Sequence, residues 1–215
     1  MNAAAEPAPS QQRDWWLRTL AVFQSPKAVF TALRDDSREA AQARQEPITA
    51  IVFLAGMAGV LSTTIAGRLL DDPSFDGLTV AVWAFLGGAL YGLLVYWLGG
   101  ALLYGAGSLL GGRWSYRQAR HVLAFAAAPL VLSLALVWPV RLAVYGGDVF
   151  RSGGGDAGSG DAIFEGLAVG FAGWALALLV IGLRALHGWP LHRAVAAVAL
   201  AATPAALFVV VNLLG

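Results

Sequence analysis

The chain has 215 residues, 58% of them hydrophobic and only 13% charged, with a mean hydropathy of +0.67. Soluble domains run near 45–50% apolar and about 25% charged, so this composition points to a bilayer as solvent and excludes disordered and fibrous chains. A net charge of +1 argues against a nucleic-acid binder, and the absence of cysteine excludes disulfides, thiolate metal sites and cysteine nucleophiles.

Residues 1–12 (MNAAAEPAPSQQ) read as a disordered tail. No apolar h-region follows a short basic start, so no signal peptide is expected, and Asn2 stands where N-myristoylation needs glycine. Residues 13–46 read as a cytoplasmic amphipathic segment. Trp16, Leu20 and Phe23 follow i, i+4, i+7 spacing. Ser25 then serves as an N-cap and Pro26 as the first helical residue, which starts a second helix. In it Val29, Phe30 and Leu33 share a face, with Lys27, Thr31 and Arg34 elsewhere. Two short helices with tryptophan and basic residues suit the cytoplasmic headgroup region; the alternative is a partner-binding helix in solution.

Residues 47–215 are expected to form five transmembrane helices, over about 48–67, 78–103, 119–145, 163–186 and 193–214. Leu78–Leu110 holds 33 residues without a charge, roughly 50 Å of helix, longer than one span needs. The excess is read as a Gly-rich extension, Tyr104–Gly112, into the interface. Pro129, Pro139 and Pro204 imply kinks inside spans. Ser115 and Gln118 make a capping box that fixes the start of the third helix. Gly146–Ala162 reads as a flexible linker carrying three aspartates. With five spans, the N-terminal side collects 11 of the 14 basic residues and the other side 3. The positive-inside rule then puts the N-terminus in the cytoplasm and Gly215 outside.

No charged residue or histidine lies near the centre of a proposed span, as ion-coupled transport and proton relays usually require. His121, His187 and His192 fall on the cytoplasmic side and read as interfacial; His187 and His192 lack the i, i+4 spacing of a zinc pair. Glu165 and Asn212 likewise read as interfacial. Ser133 has no nucleophile motif around it. Neither catalysis nor a metal or other cofactor is expected. The pairs Gly88/Gly92, Gly107/Gly111 and Gly166/Gly170 match chance for 26 glycines and read as close helix packing. Arg117 and Arg120 stand in the first turn of the third helix, where the helix dipole disfavours cations by a few tenths to about 1 kcal/mol. Topology and attraction to anionic headgroups are two reasons to keep them there. The N-terminal helices are expected to dock beside this end as a shallow surface for lipid or partner.

Three ordered pieces carry a family resemblance: VFQSPKAVFTALRDD before the first span, GGRWSYRQARHVLAFAAAPLVLSLAL at the third, and the five spans. Together they resemble the Yip-domain family of Ypt/Rab-interacting membrane proteins, in its prokaryotic branch, over residues 14–214. Matched to the motifs S-P-x-x-x-F and G-G-x-x-S-Y-R-Q…A-x-x-P are Ser25, Pro26, Phe30, Gly111, Gly112, Ser115, Tyr116, Arg117, Gln118 and Pro129; Arg120 joins them as a candidate for the cytoplasmic face. The resemblance implies no enzymatic activity. Eukaryotic members are associated with Rab GTPases and vesicle traffic, which bacteria lack, and thirteen arginines against one lysine suggest a GC-rich bacterial genome. The expected role is membrane organisation, or partner or lipid binding, at the cytoplasmic face of the inner membrane. Expected partners are the bilayer with its anionic lipids and a second copy or another membrane protein. The alternative is a small transporter or pore for a neutral solute.

Overall fold

Helices account for all the regular structure among the described residues. A computed structural model describes residues 9–156 and 161–214, with side chains for 14–156 and 161–207. The first eight residues of the expected tail, and Asn212's side chain, lie outside the described residues; helix α1 (Pro9–Ala21) already includes the last four tail positions. Next come α2 (Pro26–Ala32), α3 (Arg38–Ala43), α4 (Gln45–Leu61) and a 3-10 turn at Ala66–Asp71. One continuous helical stretch follows: α5 (Gly77–Leu94), a π-helical turn at Val95–Gly99, and α6 (Gly100–Leu109). The Gly-rich extension continues the helix as far as Leu109. The next stretch holds α7 (Tyr116–Ala126), α8 (Ala128–Leu132), a π turn at Ser133–Val137, α9 (Trp138–Tyr145) and a 3-10 turn at Gly146–Phe150. The chain ends with α10 (Ala162–His187) and α11 (Leu191–Leu214).

Three stretches are long and apolar enough to cross a membrane: Gly77–Leu109, Tyr116–Phe150 and Ala162–His187. Gln45–Leu61 and Leu191–Leu207 are shorter apolar helices. Many large apolar side chains point outward, Leu78, Leu90 and Val169 among them, as suits a hydrocarbon solvent.

The chain forms two compact units. The first holds residues 1–48, 96–126 and 177–215. In it α6 packs on α7 and α11, and α1 packs on α2 and α3. Phe30, Leu103, Val122, Phe125, Leu178 and Leu183 fill its interior. Helix α1 has two apolar sides: Trp15 and Val22 are buried, while Trp16 and Leu20 stay 42% and 67% exposed. The expected set, Trp16 with Leu20, is the outward side. The expected headgroup face of α2 is different again, because Val29, Phe30 and Leu33 are buried within the unit. Gly182 makes room for Phe30: a Cβ there would lie 3.0 Å from the ring and 2.9 Å from Val122.

The second unit holds residues 49–95 and 127–176. Here α4 and α5 cross through glycine. A Cβ on Gly56 would stand 2.7 Å from the backbone of Gly92, and one on Gly88 would stand 2.8 Å from Cα of Met57. Of the three glycine pairs, Gly88/Gly92 thus has a specific packing role, whereas Gly166 and Gly170 have nothing within 4 Å. A cluster of Leu69, Val80, Trp138, Val149 and Phe150 fills the unit. Val149 and Phe150 belong to the stretch read as a free linker, and their burial tethers it. Asp71 accepts from the Ser152 amide at 2.9 Å and hydroxyl at 2.6 Å, while Arg141 pairs with Asp156 at 3.0 Å and with Asp161. Residues 157–160 of that stretch lie outside the described residues.

Candidate functional site

The residues singled out in the sequence fall, with one exception, in the first unit. Helix α2 begins there. Ser25 takes the N-cap position and Pro26 the first turn, but the Ser25 hydroxyl makes no capping bond; its carbonyl accepts from Ala28 at 3.1 Å and Val29 at 3.3 Å instead. After α2, Arg34 reaches across to the end of α10, donating to the carbonyls of Ala185 at 2.7 Å and Leu186 at 3.2 Å. These are carbonyls of the kind a helix C-terminus leaves without an intrahelical partner.

Gly111 and Gly112 close α6. Gly111 has φ +80°, a left-handed conformation that favours glycine, and the Gly112 amide bonds the Gly107 carbonyl at 2.8 Å while the Gly111 amide bonds that of Ser108 at 2.9 Å. This is the Schellman pattern. A Cβ on Gly112 would meet the Gly107 carbonyl at 2.8 Å. Arg193, at the start of α11, donates to the Leu110 carbonyl and stacks over Trp189, 4.6 Å from its centroid.

The capping box forms reciprocally. The Ser115 amide donates to the Gln118 side chain at 2.9 Å, and the Gln118 amide donates to the Ser115 hydroxyl at 3.0 Å. Gln118 also donates from its side chain to the Leu33 carbonyl at 3.1 Å, which ties α7 to the end of α2. Tyr116 donates its hydroxyl to the Trp97 carbonyl at 2.6 Å. Arg120 lies over three aromatic rings, with Cζ 3.7 Å from the Trp97 centroid, 4.7 Å from Tyr116 and 5.0 Å from Tyr96. Ring quadrupoles attract the cation there. Its backbone and stem press on Gly100, where any Cβ would collide.

The centre of the cluster is Asp36, which sequence reasoning passed over. Its carboxylate accepts from Ser115 Oγ at 2.6 Å and Arg117 Nε at 2.7 Å, with Arg44 at 3.4 Å, and its carbonyl accepts from Arg117. Burial would raise the pKa of this carboxyl, but the bonds from Arg117 and Ser115 outweigh it and hold the group below the usual carboxylate value. Arg44 is wholly buried. It donates to His121 Nδ1 at 2.8 Å and to the Asp35 carbonyl at 2.8 Å. Burial lowers its pKa to about 10, against the opposing pull of Asp36, so it stays cationic at neutral pH. His121, read as interfacial, is buried with it.

Two of the reasons offered for first-turn arginines are thereby joined by a third. Arg117 offsets an unfavourable dipole position with an ion pair, and Arg120 does so with aromatic faces. Pro129 is the exception. It belongs to the second unit, where it is buried; Ala127 breaks the helix just before it. The chemistry of the cluster is mutual satisfaction: guanidinium donors meet helix-end carbonyls, one carboxylate and one imidazole. Among the described residues, no three His, Asp or Glu side chains converge as metal ligands would.

No curated protein and no solved structure matches the chain. The family model for the Yip1 domain matches residues 20–213, a stretch that contains the Asp36 cluster and all three long apolar helices. The chain belongs to the Yip1 domain family of membrane proteins.

Proposed function

We propose that the protein is a non-catalytic multi-pass protein of five spans in a bacterial inner membrane. Its N-terminus is cytoplasmic and its C-terminus outside. It organises the membrane by binding lipid or a protein partner at the cytoplasmic face. The observation that carries this reading is the Asp36 cluster, which commits arginine, aspartate and histidine side chains to joining helix ends. That builds a rigid surface and leaves those groups engaged. The outward Trp16, Leu17 and Leu20 on α1 supply an apolar strip beside Arg18, as a helix lying in the headgroup layer needs.

The 11-to-3 distribution of basic residues supports the orientation, and α4 and α11 would be the two further spans. A groove of about 520 Å³ within the second unit, lined by apolar side chains and glycines such as Met57, Leu61, Trp138 and Leu142, suits an acyl chain better than a hydrated path. A reporter active only in the cytoplasm tests the topology. It should work at the N-terminus and be silent after Gly215. Activity at both ends would mean an even number of spans and would sink the five-span reading.

A further inference from the structure

A second basic site lies in the first unit, between α2 and the turn joining α10 to α11. It is a pocket of about 600 Å³, lined by Lys27, Thr31, Arg34, Arg184 and Trp189 among others, and no acid lines it. The spacing of α2 creates it. Val29, Phe30 and Leu33 turn inward, so Lys27, Thr31 and Arg34, at i, i+4 and i+7, line the pocket.

Three of the chain's engaged cations are neutralised by acids: Arg44 and Arg117 pair with Asp36, and Arg141 pairs with Asp156 and Asp161, whereas Arg120 and Arg193 lie over aromatic rings. Among the described residues no ion pair reaches Lys27, Arg34 or Arg184. Arg34 is held by the α10 carbonyls, and Arg184 Nε donates to the Trp189 carbonyl at 3.3 Å. Both guanidiniums are thus fixed in place by carbonyls, with no carboxylate paired to either. The negative end of the α10 dipole accounts for two cations there. It does not account for Lys27, the chain's one lysine, which sits in the first turn of α2, where the local dipole repels it.

We propose that this pocket binds a phosphate-bearing anion. Three donors on separate stems suit the several acceptor oxygens of a phosphate. The anion can come from a lipid headgroup or from a soluble phosphate ester. The lipid source rests on the proposed orientation; the soluble source does not.

Native mass spectrometry of the full-length protein tests the proposal in mixed micelles that contain phosphatidylglycerol and phosphatidylcholine, with glycerol 3-phosphate in a separate arm. The wild type should retain phosphatidylglycerol preferentially. Lys27→Gln/Arg184→Gln should weaken that retention about 30-fold, taking the usual worth of two basic residues near an anionic headgroup. Arg113→Gln, an exposed arginine outside the pocket, should not. Lys27→Glu serves as a second variant, because its exposed side chain leaves the fold intact, and it should also lose the anionic lipid. Binding of glycerol 3-phosphate that the same variants abolish, without lipid preference, would support the pocket and name the soluble source. Equal retention by wild type and both variants in both arms would overturn it. Reporter fusions that contradict the orientation would leave the soluble-phosphate result standing.

Discussion

Replacing Asp36 with alanine removes the acceptor on which two distant segments converge. Hydrogen bonds to charged groups contribute about 1.5–3 kcal/mol each. The Arg117 and Asp36 side chains are 36% and 24% exposed, so that pair falls at the low end. The Ser115 bond adds a similar amount, and Arg44, wholly buried, loses the acid that offsets its desolvation. The sum is about 3–4 kcal/mol, a large part of the 5–15 kcal/mol typical of a folded domain. Asp36→Asn, which keeps the shape and one acceptor, should lose about half. Asp35→Asn is the control, since that carboxylate is engaged locally by the Ser37 amide at 3.0 Å, and should lose under about 1 kcal/mol. Hydrogen–deuterium exchange in lipid nanodiscs reads the effect segment by segment. Amides over 28–34 should exchange on the order of 100-fold faster in Asp36→Ala, as a loss of about 3 kcal/mol implies. Unchanged exchange there, with a stability loss below about 1 kcal/mol, would refute Asp36 as the tie between α2 and α7.

In a denaturation assay Gly88→Val should force α4 and α5 apart and cost about 1–3 kcal/mol or more, because the new Cβ has no space beside Met57; Gly170→Ala, with nothing within 4 Å, should be neutral or slightly stabilising. His121→Ala should lower stability by about 1–3 kcal/mol, since it strands the buried Arg44 Nε, and the effect should appear as reduced protein level in cells. Protection of α2 should depend on acid. The Asp36 carboxyl lies below its usual value in the folded state, so its contribution is complete above about pH 4 and lost as pH falls through the depressed value; exchange measured from pH 7 down to 3 should show less decline in Asp36→Asn than in wild type.

The helices themselves were written plainly in the chain. Apolar runs, Ser115 with Gln118, and Pro26 located element starts because each signal is local: a cap and its helix lie within four residues. Asp36 was not legible, because its partners stand 79 and 81 residues away and nothing in an Asp-Asp-Ser turn names them. A trace of it was visible on the other side, in two arginines placed against a helix dipole without a stated partner. Helix α1 shows a different limit. Trp15 and Trp16 are adjacent, so a spacing rule fits either, and only the tertiary contact of Trp15 with Phe125, ring centroids 5.7 Å apart, decides which one turns inward. Burial of α2 was equally hidden, since an apolar face looks the same whether lipid or protein covers it.

The capping arginines also impose an order on biosynthesis. A ribosome makes Arg34 151 residues before the Ala185 carbonyl it will satisfy, whereas the Leu110 carbonyl waits 83 residues for Arg193. The first unit is assembled from three separate stretches, the last beginning at residue 177, while the second unit needs nothing beyond 176. During translation the second unit can therefore close while the first still has open helix ends. A nascent chain halted before Ala185 would carry Arg34 without its carbonyls and the Leu110 carbonyl without Arg193.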